Sequence, residues 1–135
     1  MLRTIKASGR GQKLVDKKSR FFCSIYKVTS KEEAEDFLER IRKKFPKASH
    51  HAYAYRLGSP VHWEDSSDDG EVRGCAGKPI MTILKKKKLT NLIVVVTRYY
   101  GGINLGAGGL VKNYSKCALE LIDIIGIKKI EKKKT

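Results

Sequence analysis

No apolar run in this 135-residue chain approaches the roughly 18 residues that a membrane-spanning helix requires. The longest, Leu92 to Val96, is five residues. The opening residues lead into Ala7-Ser8-Gly9-Arg10 and not into an apolar stretch, which argues against a secretory leader. Cysteine is scarce and unpaired in pattern. Cys23, Cys75 and Cys117 form no CxxC and are odd in number. A disulfide framework or a zinc knuckle is thereby disfavoured, and a reducing cytoplasm is the natural setting. Nothing repeats internally. Acids are also in short supply, with 14 Asp and Glu against 29 Lys and Arg.

The resulting charge of +15 is unevenly placed. Residues 1–20, the four consecutive lysines Lys85, Lys86, Lys87 and Lys88, and residues 128–135 together carry +14 of it. The remainder of the chain is nearly neutral, so the pattern suggests a balanced body bearing basic appendages: a domain over residues 1–127, with a basic segment 1–19, and a lysine-rich tail over 128–135. Lysines of this kind serve solubility, or they form the footprint of a polyanion, because phosphate neutralisation supplies the sequence-independent part of nucleic-acid affinity. An anionic membrane surface is a poorer match, because no amphipathic helix sets its lysines opposite an exposed apolar face.

Along the chain, residues 20–28 are rich in β-branched and aromatic types and form a strand. Ser30 and Glu33 then make a capping box, and Ala34, Phe37, Leu38, Ile41 and Phe45 recur at helical spacing up to Pro46. Residues 50–57 alternate, with His51, Tyr53, Tyr55 and Leu57 on one side, a ring-bearing face suited to the core or to docking a protein. A polar, acidic loop is expected from Gly58 to about Gly77, and Pro79 suits the first turn of a second helix. Leu92 to Val96 shows no alternation and reads as a central strand buried on both faces. A third helix carries Leu110, Val111, Tyr114, Cys117, Ala118, Leu121, Ile122 and Ile125 and ends at Gly126. The tail beyond it is expected to fray. The economical architecture is α+β: a two-layer sandwich of one mixed sheet with helices packed mainly on one face.

Two glycine-rich stretches, residues 67–79 and 97–109, each feed a helix. Such junctions offer unpaired amides and the positive helix end to an anion, although glycines also serve tight turns and close packing. The expected anion or nucleic-acid contacts are Arg73, Lys78, Arg98, Gly101, Gly102, Gly106, Gly108 and Gly109, with Lys85, Lys86, Lys87 and Lys88 adding long-range attraction. Established phosphate and calcium motifs fail in detail. Val72 stands where a P-loop needs its first glycine, and Pro79 follows Gly77-Lys78. Val111 breaks a dinucleotide fingerprint. An EF-hand beginning at Asp65 would need a carboxylate where Ala76 stands. His50 and His51, adjacent on a strand, point to opposite faces and cannot share one ion. No metal or cofactor is expected. Asp68, Asp69 and Glu71 are weak candidates for acid/base work, since carboxylates beside glycine commonly make solvated turns. Cys75 is the one cysteine placed for reactivity, while Cys23 and Cys117 fall on apolar faces.

These stretches carry a resemblance. Ser67-Asp68-Asp69-Gly70-Glu71 through Gly74-Cys75-Ala76-Gly77-Lys78-Pro79, then Thr97-Arg98-Tyr99-Tyr100-Gly101-Gly102 and Leu105-Gly106-Ala107-Gly108-Gly109-Leu110-Val111, closely resemble the N-terminal domain of the IMPACT family (YigZ-type), over about residues 19–122. Ser19-Arg20-Phe21 and His50-His51-Ala52-Tyr53-Ala54-Tyr55 add to it. The resemblance implies a fold similar to the second domain of ribosomal protein S5 and an association with translation, without an established catalytic activity. Val72, Arg73, Cys75 and Tyr100 depart from the residues common in the family. Eukaryotic regulation of a stress-response kinase depends partly on an additional module and is not carried over. The resulting expectation is a non-enzymatic, cytoplasmic translation-associated regulator that binds RNA, the ribosome or a protein of the translation machinery. The alternatives are an enzyme or binding protein for a small phosphorylated or nucleotide ligand, and a protein-interaction module.

Overall fold

The computed structural model describes residues 1–130. Its eleven elements run β1 (Arg3–Ile5), β2 (Gly9–Arg10), β3 (Leu14–Asp16), β4 (Ser19–Lys27), α1 (Lys31–Lys44), β5 (His50–Leu57), β6 (Trp63–Ser67), α2 (Gly77–Lys86), β7 (Leu92–Tyr99), α3 (Gly106–Ile125) and β8 (Ile127–Lys129). β7 lies at the centre of a six-stranded sheet ordered β2-β4-β7-β5-β6, with β3 also paired to β4. Its ladders are antiparallel. Parallel pairing is confined, among the described residues, to one bridge between Arg3 and Leu89.

The absence of alternation in β7 has a direct cause. Leu92, Val94 and Val96 pack with Ile80, Leu84, Leu110, Tyr114 and Leu121 under α2 and α3. Ile93 and Val95 pack with Phe37, Leu38 and Ile41 of α1 on the opposite face. The fold is thus α+β, as expected, with two helices on one face and the third on the other. The ring-bearing side of β5 lies under α1. Tyr55 is buried there, while Tyr53 is half-buried. α1 begins as its capping box requires. Ser30 Oγ accepts from the Glu33 amide at 3.1 Å, and Glu33 Oε1 reaches back to the amide and hydroxyl of Thr29.

Three expectations need correction. The stretch expected to be a loop from Gly58 to Gly77 contains β6, paired with β5 from Tyr53↔Ser67 to Leu57↔Trp63. Its side chains are almost all exposed, so it has no apolar alternation to betray it. Backbone pairing holds it, with Arg56 Nε on Glu64 at 3.1 Å and Trp63 Nε1 donating to the Tyr55 hydroxyl. The basic segment 1–19 is not an appendage: it supplies β1, β2 and β3, and Ile5 is fully buried in the core. Residues 127–129 form β8 and pair with β1, so the tail expected to fray from residue 128 is anchored as far as residue 129. The rest of that tail, residues 131–135, lies outside the described residues. No helix of the described chain is long and apolar enough to cross a membrane.

Candidate functional site

The first glycine-rich stretch wraps around a carboxylate. Asp68 Oδ1 accepts from the amides of Ala76 (3.1 Å) and Gly77 (2.9 Å), and Oδ2 accepts from Gly74 (2.8 Å). Burial alone would raise this carboxyl, but the amides of Gly74, Ala76, Gly77 and Lys78 bring it below the ordinary aspartate value. The positive end of α2 is therefore occupied by an anion that the chain itself provides. Glycine is required at position 77, where a Cβ would meet the Ser67 carbonyl oxygen at 2.5 Å. Asp69 is also structural. Its Oδ2 accepts from the His51 amide at 2.7 Å, and its carbonyl accepts from His50 Nδ1 at 2.8 Å.

Glu71 and Arg98 join the two stretches. Arg98 Nη1 donates to both Glu71 oxygens, at 2.9 and 2.7 Å, and Nη2 donates to Ser19 Oγ at 3.1 Å. Both side chains are only 5% exposed. Arg98 Nε has no hydrogen-bond partner. Glu71 also accepts from the Tyr114 hydroxyl, and His50 Nε2 lies 3.4 Å from its Oε1. Burial, followed by the bond to Glu71, pushes the Tyr114 phenol far above its usual value, so it remains a donor. Tyr114 meets Phe21 edge-on at 5.3 Å, and the Arg98 guanidinium lies over Phe21 and Tyr100. Side chains from β5, β7 and α3 thus converge on the one carboxylate that the loop before α2 supplies, and Ser19 of β4 holds Arg98 from behind. Above it opens a pocket of ≈ 450 Å³, lined in part by His50, Glu71, Arg98, Tyr100, Asn104 and Gly106.

The second stretch differs from the first at its helix. α3 starts at Gly106 after Leu105, with no side-chain cap and no acid in its first turn. A Cβ added at Gly102, Gly106 or Gly108 would meet nothing, so this start is open. Gly101, in contrast, is pressed against the turn between β3 and β4, where a Cβ would lie 2.1 Å from the Lys18 carbonyl carbon. Ser19 Oγ accepts from the Gly101 amide at 3.2 Å. On the other side of the same turn, Asn113 Nδ2 donates to Asp16 Oδ2 at 2.8 Å. The exposed Lys17 and Lys18, at φ 44° and 68°, are thereby held beside the open start of α3.

The expected site residues fall into separate groups. Gly101, Gly102, Gly106, Gly108 and Gly109 form the open loop and helix start. Arg98 lies beneath them, buried and committed to Glu71. Arg73 and Lys78 are exposed around the start of α2, whose amides Asp68 has taken. Lys85, Lys86, Lys87 and Lys88 stand at the other end of that helix, about 15 Å along its axis. Of these, Lys85 pairs with Glu64 at 3.4 Å and the Lys87 carbonyl accepts from the Arg3 side chain. Lys17, Lys18, Ser19 and Tyr114 are site residues that the sequence does not single out. The first two enter it only as part of a charge count, Ser19 only as part of the Ser19-Arg20-Phe21 resemblance and Tyr114 only as a position on the apolar face of the third helix; none is marked as a site residue until the fold brings them together.

His50 and His51 do point apart, as their adjacency on a strand requires. His51 Nε2 donates to the Phe45 carbonyl and Nδ1 lies against Thr97 Oγ1, each at 3.0 Å, and burial lowers the pKa of the ring. Among the described residues, no three His, Cys, Asp or Glu side chains are grouped to hold a metal ion. Cys75 is buried, contrary to the exposure that reactivity would need. Burial raises the thiols of Cys23 and Cys117, the latter to about 12.

Comparison with known proteins identifies the fold and the family. The chain is 42% identical over 124 residues to the IMPACT family member YvyE of Bacillus subtilis, covering 92% of this chain and 57% of that protein. It is 45% identical over 103 residues to the IMPACT family member YigZ of Escherichia coli, covering 73% of this chain and 49% of that one. The chain therefore spans about half the length of these relatives. A crystal structure described as a hypothetical protein superposes with a TM-score of 0.87 at 34% identity, covering 94% of this chain and 62% of that one. The two-domain translational regulator Yih1 superposes with a TM-score of 0.60 at 28% identity, covering 90% and 48%. The profile of the Impact N-terminal domain matches residues 17–122, a span that contains both glycine-rich stretches and the Glu71–Arg98 pair, and the chain belongs to that family.

Proposed function

We propose that this domain is a non-enzymatic, cytoplasmic translation-associated regulator that docks on RNA at the ribosome through the open start of α3. The observation that carries the reading is the contrast between the two helix starts. α2 holds its own carboxylate, whereas α3 leaves its first-turn amides uncapped beside Lys17 and Lys18. Backbone amides at Gly106, Ala107 and Gly108 would take a phosphate, and the basic turn would neutralise its neighbour on the strand. Arg98 does not touch the ligand in this scheme. It positions the loop through Glu71 and Ser19. The exposed lysines at the end of α2 add sequence-independent attraction. The link to translation is supported by the structural likeness to Yih1, itself described as a translational regulator.

Fluorescence anisotropy with a single-stranded RNA oligomer, together with co-sedimentation with ribosomes, tests the reading. Lys17→Glu with Lys18→Glu should weaken RNA binding by more than about tenfold at low salt. Absence of RNA binding tighter than about micromolar at low salt would overturn it.

A second reading rests on the ≈ 450 Å³ pocket above Glu71. His50, held through Nδ1, and the carboxylate beside it could perform proton transfer on a small phosphorylated ligand. A rise in melting temperature with a nucleotide, abolished in His50→Gln, would favour this enzyme reading over RNA docking.

A further inference from the structure

α2 and α3 lie side by side over the sheet, and their outer surfaces enclose an open groove of ≈ 630 Å³. Its floor is apolar, made by Pro79 and Ile83 of α2 and by Val111 and Leu119 of α3. Val111 is 38% exposed, so the trough opens to solvent along α3. Thr82 and Ser115 are small residues among the lining. Val111, Ser115 and Leu119 recur every four residues, so the α3 wall runs straight for about 12 Å, roughly two helical turns.

The rim is of one sign. Lys78, Lys86 and Lys87 border the groove, no acidic side chain lines it, and none of these three lysines takes part in an ion pair among the described residues. The lining also lacks an aromatic ring on which a base could stack, which is what single-stranded nucleic acid would use. A straight apolar trough between two helices, with small residues in its lining, is the shape that receives a third helix by ridge-into-groove packing. Charge then selects which helix. A second copy of this chain is a poor occupant, since each copy carries +15 and the apolar face of α1, whose acids and bases balance, is buried in its own core.

We propose that the α2–α3 groove is a docking site for an acidic amphipathic helix of a protein partner. Leucine-type side chains at i, i+3 or i+4 and i+7 would fill the trough between Ile83 and Val111, and flanking Glu or Asp side chains would meet the three rim lysines. This surface is separate from the start of α3 and does not rest on the RNA reading.

The probe is a designed helical peptide of about 18 residues, with leucines at that spacing and glutamates on both flanks. A scrambled peptide of identical composition is the control. Isothermal titration should give the helical peptide an affinity at least about tenfold tighter than the scramble. Amide shifts should centre on Thr82, Ile83, Ser115 and Leu119. Val111→Asp and, separately, Lys86→Glu should each weaken binding by about tenfold with the melting temperature little changed, because both side chains are exposed. Lys17→Glu with Lys18→Glu should leave it intact, which separates this result from that of RNA docking. Equal binding of the scramble, or no effect of Val111→Asp, would overturn the proposal; Val111 is the discriminating position, because Lys86 and Lys87 also belong to the lysine cluster proposed to attract RNA.

Discussion

Glu71 and Arg98, 27 residues apart, form an ion pair in which Nη1 alone donates to both carboxylate oxygens and from which solvent is almost excluded. Removing two charges from water is expensive, and one partner left alone costs more than the pair contributes. Glu71→Ala should therefore destabilise the fold by about 3–5 kcal/mol in urea unfolding. Glu71→Leu combined with Arg98→Met should recover much of that loss, because apolar replacements of a buried pair are commonly neutral. A loss below about 1 kcal/mol for the single change would show that water reaches Arg98.

Asp68 should govern the acid limb of stability. Its folded carboxyl is held below the ordinary value, so the stabilisation it supplies is complete above about pH 4 and declines as pH falls toward the folded value. Asp68→Ala should cost about 1–2 kcal/mol at neutral pH, as for loss of a helix cap, and should flatten the decline below about pH 4. Urea midpoints at pH 7 and pH 3 check both.

His51 should act in a higher window. Burial lowers its pKa, against the Phe45 carbonyl and Asp69, which oppose that shift, so the unfolded chain takes up a proton first. Stability should be level above about pH 6.5 and fall as pH drops from there toward the folded value. His51→Gln should cost about 1–2 kcal/mol at pH 7.5 and remove most of the difference between pH 7.5 and 5.5.

The expected elements and the unexpected ones differ in where their information lies. α1 is legible because Ser30, Glu33 and five apolar positions are local, and β7 because a five-residue aliphatic run can only be central. β6 is invisible because its register belongs to β5, and β1, β2 and β3 are too short to show any period. The two glycine-rich stretches are conspicuous in the sequence, but their roles are not. Asp68 caps a helix that begins nine residues later, and the Lys18 turn reaches the open loop only through what Gly101 permits, 83 positions away. Those relationships are tertiary.

Gly108 and Gly101 should respond oppositely to substitution. Gly108 is the third residue of α3, with open space where a side chain would go. Gly108→Glu should stabilise the protein by about 1 kcal/mol, through helix propensity and the helix dipole, while placing a carboxylate where phosphate is proposed to bind. Anisotropy should show RNA affinity falling several-fold as melting temperature rises. Gly101→Ala should lower the melting temperature, because its Cβ meets the Lys18 carbonyl.

Replacing Lys85, Lys86, Lys87 and Lys88 with Gln should weaken RNA binding evenly across sequences. The slope of log affinity against log salt should flatten by about 0.7 for each phosphate that is no longer neutralised.

The pairing of β1 with β8 has a mechanical consequence. Arg3 faces Lys129 at the outer end of this two-stranded ladder and Ile5 faces Ile127 at the inner end. Tension applied through the two termini would load its hydrogen bonds one after another, in an unzipping geometry, and not all together in shear. The clasp would yield at low force, before the six-stranded sheet it adjoins.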